Sequence, residues 1–424
     1  MVISIKRFIK LILSQIIIGV LGLSIGSFIG ITHLLQSYSN RLFTHTTINN
    51  IDVSSTTFEE AYTRVTKQYI VPLLQNTLSL TYQGTTTEIP FSELISGNNL
   101  EDVIDSAFEF PTKYTFLQKY MLLKENQTHD YQIEFTIDEA AIKRLVTSFT
   151  TAHCTASSDA SIQISHDGHI TITPSTDAIS WKISDIISDI HSLLMKRTSI
   201  VLDMEQYKIV TPAQITTEML EQIDTRVSRY TTKFKADSGN EINISLAANT
   251  INGTLLFPGD TFSFNDIIGD TTLEKGYTYA PVIANSRFVQ GVGGGVCQVS
   301  STLYNAILLA GLTASQRSPH SRPSSYVPLG QDATIDWGTI DFQFINTLNY
   351  PLYICSYTQN DKLFMDLYSN SKLTNTTYII NSNAYKKSFG YYVEVIRKKY
   401  QNNQLVDTTI ISDDVYHTSS NALS

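Results

Sequence analysis

Cys297 stands where a glycine-rich loop runs into a helical pattern, in Gly293-Gly-Gly-Val-Cys-Gln-Val-Ser-Ser-Thr-Leu-Tyr-Asn305. Leu303, Ala306, Ile307 and Ala310 fall on one face of that helix, and Gly311 stands where a left-handed C-cap is wanted. Cys297 therefore lies at or just before the first turn, where unpaired N–H groups and the positive end of the helix dipole favour an anion. A thiolate held this way is a nucleophile at neutral pH. Backbone amides near Gly295 and Cys297 could hold the oxyanion that forms when such a thiolate attacks a carbonyl. Two plainer readings compete. A glycine-rich turn can cradle phosphate, although Gly-x-x-x-x-Gly-Lys-Ser/Thr does not occur here. Alternatively, Cys297 is a small buried residue beside a tight turn.

A cysteine nucleophile needs a base. Ser318-Pro-His-Ser-Arg-Pro-Ser-Ser-Tyr-Val-Pro-Leu-Gly330 is a proline-stiffened loop carrying His320, the only histidine between His191 and His417. Asp332 could orient that imidazole, ahead of Asp336 and Asp341, and is equally readable as a turn carboxylate. Arg322 could pair with a substrate carboxylate or be a plain surface cation. With Gly294, Gly295, Gln298, Ser300 and Tyr326, it makes up the candidates for oxyanion or substrate contacts. The other thiols look different. Cys355 sits in the apolar run Tyr350-Pro-Leu-Tyr-Ile-Cys-Ser-Tyr357 and reads as core, and Cys154 beside His153 lacks the second Cys/His pair of a metal site. Three cysteines make no disulfide framework. No metal or cofactor is implied.

The elements around these residues follow from periodicity. Thr56 with Glu59 predicts a capping box before a helix over 58–71, and Leu78 to Ile89 alternates around Gln83-Gly84 as a hairpin. Thr136 with Glu139 predicts the start of a helix to Thr151. Ile162-Gln-Ile-Ser-His-Asp-Gly-His-Ile-Thr-Ile-Thr173 reads as two strands across Asp167-Gly168, with His166 and His169 pointing to solvent. Helical spacing of Ile183, Ile186, Ile187, Ile190 and Leu194 predicts a helix over 181–194. A polar connecting helix is expected over 211–235. The chain should end in β structure, a hairpin of Tyr391–Tyr400 and Leu405–Ile411 across Gln-Asn-Asn-Gln.

Length and charge bound the whole. A chain of 424 residues implies two or three domains. The net charge of −9, with no basic run outside the N-terminus, argues against nucleic acid and for a neutral or cationic partner. Lys6, Arg7 and Lys10 precede a stretch from Leu11 to Asn40 without Asp, Glu, Lys or Arg, and Ile16 to Ile31 is almost wholly apolar. That pattern predicts an uncleaved, single-pass membrane anchor with the remainder outside the cell, in preference to a cleaved signal peptide. Gly22, Gly26 and Gly30 share one helix face, a spacing that would let two anchors pair as a homodimer, although glycine is common in membrane helices generally. The expected organisation is α+β throughout: 1–40 cytoplasmic N-terminus and anchor, 44–210 two α+β units, 211–235 connecting helix, 236–360 the domain holding Cys297, and 361–424 a β-hairpin extension.

Several segments together resemble the VanW family, named from glycopeptide-resistance gene clusters. They are Thr250-Ile-Asn-Gly-Thr254, Phe257-Pro-Gly-Asp-Thr-Phe-Ser-Phe-Asn265, Gly276-Tyr-Thr-Tyr-Ala280, the Cys297 segment, His320-Ser-Arg322 and Tyr326-Val-Pro-Leu-Gly-Gln-Asp-Ala-Thr334, in uninterrupted order. Residues 44–204 look like the peptidoglycan-binding repeats that accompany VanW domains in Gram-positive envelope proteins; a G5 domain is not evident. Some clostridial members of the family act as L,D-transpeptidases, using a cysteine to make 3-3 cross-links in peptidoglycan without the YkuD-type fold. Carried onto this chain, the resemblance implies Cys297 as nucleophile, peptidoglycan stem peptides and glycan as partners, and a thioester intermediate. It also leaves room for a hydrolase, or for a wall-binding accessory protein in which Cys297 is structural.

Overall fold

The computed structural model describes residues 2–236, 238–284 and 287–417. Contacts divide the chain into two compact units, the first made of residues 1–155 and 179–211, the second of 156–178 and 212–424. The Ser161–Ile164 and Ile170–Thr173 hairpin, expected within the 44–210 region, thus belongs to the second unit.

The first unit starts with helix α1 (Val2–Ser37), the one helix among the described residues long and apolar enough to cross a membrane. No atom lies within 4 Å of where a Cβ on Gly22, Gly26 or Gly30 would stand. Helix α2 (Phe58–Val65) opens at Phe58 as expected, but its capping box lies one residue later. Thr57 and Glu60 form its capping box, while the Thr56 hydroxyl is spent on the Val53 carbonyl at 2.6 Å. Helix α3 (Phe116–Lys124) has a Thr115/Gln118 capping box and buries no residue. Helix α4 (Glu139–Ala152) is capped by Asp138, whose carboxylate accepts the Ala141 amide at 2.8 Å, because Thr136 is occupied in the strand Phe135–Ile137. Helix α5 (Ile183–Leu194) starts after Trp181, which ends the strand Ala178–Trp181. Ile186, Ile190 and Leu194 of α5 and Ile142, Val146 and Phe149 of α4 pack on a sheet of Thr77–Tyr82, Thr85–Pro90 and Ile200–Asp203.

The expected 211–235 helix does not form. Strand Lys208–Thr211 closes the first unit, and in the second a single turn Thr217–Leu220 and strand β1 (Thr225–Lys233) take its place. The run Thr-Arg-Val-Ser-Arg-Tyr-Thr-Thr is rich in β-branched and aromatic side chains that suit a pleated, half-buried surface better than a helix. Helix α6 (Gly239–Ile251), strand β2 (Leu255–Leu256), the hairpin β3 (Tyr279–Ala284) and β4 (Arg287–Val292), helix α7 (Val296–Leu309), and strands β5 (Leu352–Gln359) and β6 (Lys362–Ser369) follow. An antiparallel sheet of order β1-β6-β5-β2 carries α6 and α7 on one face. Strand β6 is thus a central strand of this sheet, so the domain continues past the expected boundary at 360.

Helix α7 is buried almost from end to end. Val299, Leu303, Ala306 and Ile307 pack with Ile244, Ala247 and Ile251 of α6, with Met365 and Leu367 of β6, and with Phe262, Phe342 and Phe344. Its polar side chains are hydrogen-bonded, as burial requires. Gln298 Nε2 donates to Thr232 Oγ1 and to the Lys233 carbonyl, both at 2.9 Å, and Asn305 Nδ2 donates to the Gln331 carbonyl at 2.7 Å.

The described residues end in three long antiparallel strands, β7 (Thr376–Lys387), β8 (Gly390–Gln401) and β9 (Gln404–His417). The β8–β9 hairpin matches the expected one but is longer, and turns at Asn402-Asn403, both with positive φ. β7 adds a third strand.

Candidate active site

Helix α7 begins at Val296, so Cys297 occupies the second helical residue, with Gly295 as N-cap at φ 104°. The turn before it is pressed against its own fold. A Cβ on Gly294 would stand 2.6 Å from the Pro281 carbonyl oxygen, and one on Gly295 3.1 Å from Ile244, so any side chain here would displace the turn. Buried Asn243 fixes the same turn, donating to the Gly294 carbonyl at 2.9 Å and the Thr278 carbonyl at 3.0 Å. These glycines therefore serve packing first. Val296 N–H donates to the Gly293 carbonyl and Gln298 N–H to the Gly295 carbonyl, whereas the amides of Gly295 and Cys297 find no acceptor among the described residues. Those two free donors at a helix start are what an oxyanion would need.

Cys297 is half-buried and its thiol donates to the Ile335 carbonyl at 3.5 Å. His320 and Asp332 lie with it. Asp332 Oδ2 is 2.5 Å from His320 Nδ1 and accepts the His320 backbone amide at 2.7 Å, so the carboxylate sets both the loop and the ring. His320 is buried, which alone would lower its pKa; hydrogen bonds and charge from Asp332 and Cys297 outweigh that and push it up to about 9. The Asp332 carboxyl is lowered despite burial, because His320, the Tyr416 hydroxyl and the Arg317 guanidinium all stabilise its anion. An imidazolium between a thiol sulfur and a fixed carboxylate is the arrangement of a cysteine nucleophile with its general acid. Tyr326 stands edge-on to the His320 ring, with centroids 6.4 Å apart, and burial and the nearby Cys297 raise its hydroxyl well above the usual range.

The remaining candidates separate. Ser300 is fully buried and donates to the Ala333 carbonyl at 2.6 Å, and Gln298 is committed to β1, so both are engaged in holding the fold. Among the described residues Arg322 has no hydrogen-bond or ion-pair partner and is only half-buried, so its cation is available. Asp336 accepts from Thr339 in an exposed turn, and buried Asp341 accepts from Ser263 at 2.6 Å and from the Asn265 amide at 2.9 Å, so neither reaches His320.

Sequence reasoning missed the layer behind Asp332. Arg317 is buried and bonds Asp332 Oδ1 at 3.2 Å, Asp414 Oδ1 at 2.6 Å, and the carbonyls of Asp332 and Gly330, with Tyr304 under its guanidinium. Tyr416, fully buried on β9, donates to Asp332 Oδ1 and accepts the Gly330 amide at 2.8 Å. His417 N–H donates to the Ser321 carbonyl at 2.9 Å, tying β9 directly to the histidine loop. Gly330 has φ 85°, and a Cβ there would stand 2.3 Å from Val395 of β8, so the loop can lie on the sheet only as glycine. Arg317, three residues before His320, offered a faint signal; Tyr416 offered none.

Known proteins supply the context for this geometry. The model of VanW like proteins matches residues 239–368, which contain Cys297, His320, Asp332 and the whole β1-facing core of α7. Residues 239–368 thus form a VanW-like domain. The chain is similar to Bacillus subtilis YoaR, 43% identical over 159 residues, covering 37% of this chain and 52% of that protein. It is also similar to the vancomycin B-type resistance protein VanW of Enterococcus faecalis, 33% identical over 135 residues, covering 31% of this chain and 49% of that one. The chain spans about half the length of these curated relatives. A peptidoglycan-binding domain model matches residues 87–198, and with the VanW domain it points to a role at the cell wall. Among solved structures, a mutant L,D-transpeptidase of Enterococcus faecium aligns over 54% of this chain and 75% of its own at a TM-score of 0.20 and 9% identity, too weak to bear on fold or mechanism.

Proposed function

We propose that this is a membrane-anchored cell-wall protein whose VanW domain is a cysteine acyltransferase acting on peptidoglycan stem peptides, an L,D-transpeptidase. The observation that carries the reading is the Cys297, His320 and Asp332 cluster at the start of α7, with the Asp332 to His320 contact of 2.5 Å and the two unpaired amides beside the sulfur.

In this reading the Cys297 thiolate attacks the carbonyl between the third residue of a stem peptide and its D-Ala. A C–S bond forms, and the amides of Gly295 and Cys297 hold the oxyanion. The His320 imidazolium gives its proton to the departing amine, the C–N bond breaks, and a thioester remains. An amine of a neighbouring stem then attacks the thioester, neutral His320 takes that amine's proton, and the thiolate leaves. Asp332 keeps the imidazole in place through both steps without itself changing protonation. Arg322, with a free cation beside this loop, suits the carboxylate end of the stem.

The test is mass spectrometry of muropeptides from sacculi incubated with the protein and with Cys297→Ala. New 3-3 dimers that need the cysteine are the expected result. Shortened monomers alone would reassign the site to hydrolysis, and unchanged muropeptides with intact sacculus binding would leave a non-enzymatic accessory role.

A further inference from the structure

Helix α3 (Phe116–Lys124) is rich in apolar side chains yet covers almost nothing. It is a well-made helix, with the Thr115 amide donating to Gln118 Oε1 at 2.9 Å, but none of its residues is buried. Leu117 and Met121, one turn apart on one face, are 64% and 57% exposed, and Phe116 is 37% exposed. A helix in water normally packs its apolar side chains against a core, and among the described residues Leu117 and Met121 find no such cover.

Its position identifies the partner. The Phe116 ring lies 5.0 Å from that of Phe28, which belongs to the apolar part of α1. This step rests on the proposed anchor. Counted from Lys10 at 1.5 Å per residue, Phe28 stands about 27 Å along α1, near the far edge of a hydrocarbon layer roughly 30 Å thick. The apolar face of α3 is therefore at the level of the outer membrane boundary. Lys113, Lys119 and Lys124 surround it, and the helix itself has no Asp or Glu. Exposed apolar residues interspersed with lysines, with no carboxylate in the helix, suit a short helix at a lipid interface with anionic headgroups. A cavity of about 480 Å³ between α1 and this region, lined by Leu35, Tyr38, Arg41, Phe108, Phe116 and Lys119, combines apolar walls with two cations.

We infer that α3 is a second membrane contact, a short interfacial helix that inserts Phe116, Leu117 and Met121 beside α1 and seats a phospholipid in the adjoining cavity. Two contacts instead of one would fix the tilt of the first unit relative to the membrane surface.

The test uses the full chain in vesicles of zwitterionic and anionic phospholipids brominated near the headgroup end of the acyl chain, or near the methyl end. Trp181 and Trp337 are the only native tryptophans and set the baseline. Leu117→Trp and, independently, Met121→Trp should add emission that shifts to the blue and is mostly lost with the shallow bromines. Leu23→Trp, in the middle of α1, should be quenched by the deep ones. If Leu23→Trp is quenched and both α3 tryptophans keep their emission and water-like spectrum, the interfacial role is overturned and the anchor stands. Quenching at none of the three positions removes the anchor and this inference together. Protection of the α3 tryptophans that persists in detergent without lipid would point to a protein partner and also overturn it.

Discussion

The Asp332 carboxylate and the Cys297 sulfur face the imidazole of His320, and that fixes when the site can work. With a pKa of about 9 against an ordinary 6.5, the protonated ring stabilises the fold fully below pH 6.5. That contribution, on the order of 3 kcal/mol, is lost as pH rises through 9. Asp332 runs the other way: its lowered pKa gives stability above the ordinary carboxylate range that disappears as pH falls through the folded value. Between these limits the ring is an acid beside the sulfur. Exposure alone would rank exposed Cys154 as the most reactive thiol, ahead of half-buried Cys297 and buried Cys355, whose thiol burial pushes up to about 11. We expect iodoacetamide at pH 7 to label Cys297 first, and His320→Ala to remove that advantage. Labelling of Cys154 ahead of Cys297, resolved by peptide mass spectrometry, would sink the reading of Cys297 as the nucleophile. Acyl transfer should decline above about pH 9, once the ring can no longer protonate the leaving amine.

At the scale of elements, what was legible depended on locality. The start of α7, its left-handed Gly311 after the last turn and the tight hairpins depend on neighbours in sequence, and the structure has them as read. Capping slipped by one or two residues at α2 and α4 because several Thr and Asp side chains compete for the same amides. The 211–235 segment went wrong for a different reason: β1 is a strand because β6, over a hundred residues away in sequence, pairs with it from Thr225↔Ser369 to Lys233↔Lys362. Tyr416 is the extreme case, since nothing local marks a tyrosine near the chain's end as the support of Asp332. Its hydroxyl bridges β9 to that carboxylate and to the Gly330 amide, so the C-terminal sheet, outside the 239–368 match, is part of the site's scaffold. Tyr416→Phe keeps the ring and removes both bonds. One bond to a charged acceptor contributes about 1.5–3 kcal/mol, so the urea midpoint should fall accordingly. The acylation rate of Cys297 should fall with it, while KM for the stem peptide stays near wild type, because Tyr416 is buried behind Asp332. Unchanged stability and rate would detach the sheet from the site.

At the scale of the molecule, the chemistry proposed for the VanW domain requires that it meet the wall, and α1 is the element that decides this. Its 36 residues form a helix of about 54 Å, well beyond the roughly 30 Å of a hydrocarbon core, so a span leaves several turns outside the membrane. Lys6, Arg7 and Lys10 lie at one end only, and positive residues stay on the cytoplasmic side, so the proposed span would put both folded units outside. The same residues would also suit a cleaved signal, and the two outcomes separate by experiment. An arginine near the centre of a span costs about 2.5–3.5 kcal/mol, so Leu21→Arg with Ile25→Arg should abolish stable insertion. For an anchor, the wild-type chain resists alkaline carbonate extraction and its intact mass retains residues 1–40, whereas the double variant is not recovered in the washed membrane fraction. A wild-type chain released from cells with a mass lacking α1 would replace the anchor with a signal peptide and leave the wall-facing direction as the surviving part of the argument.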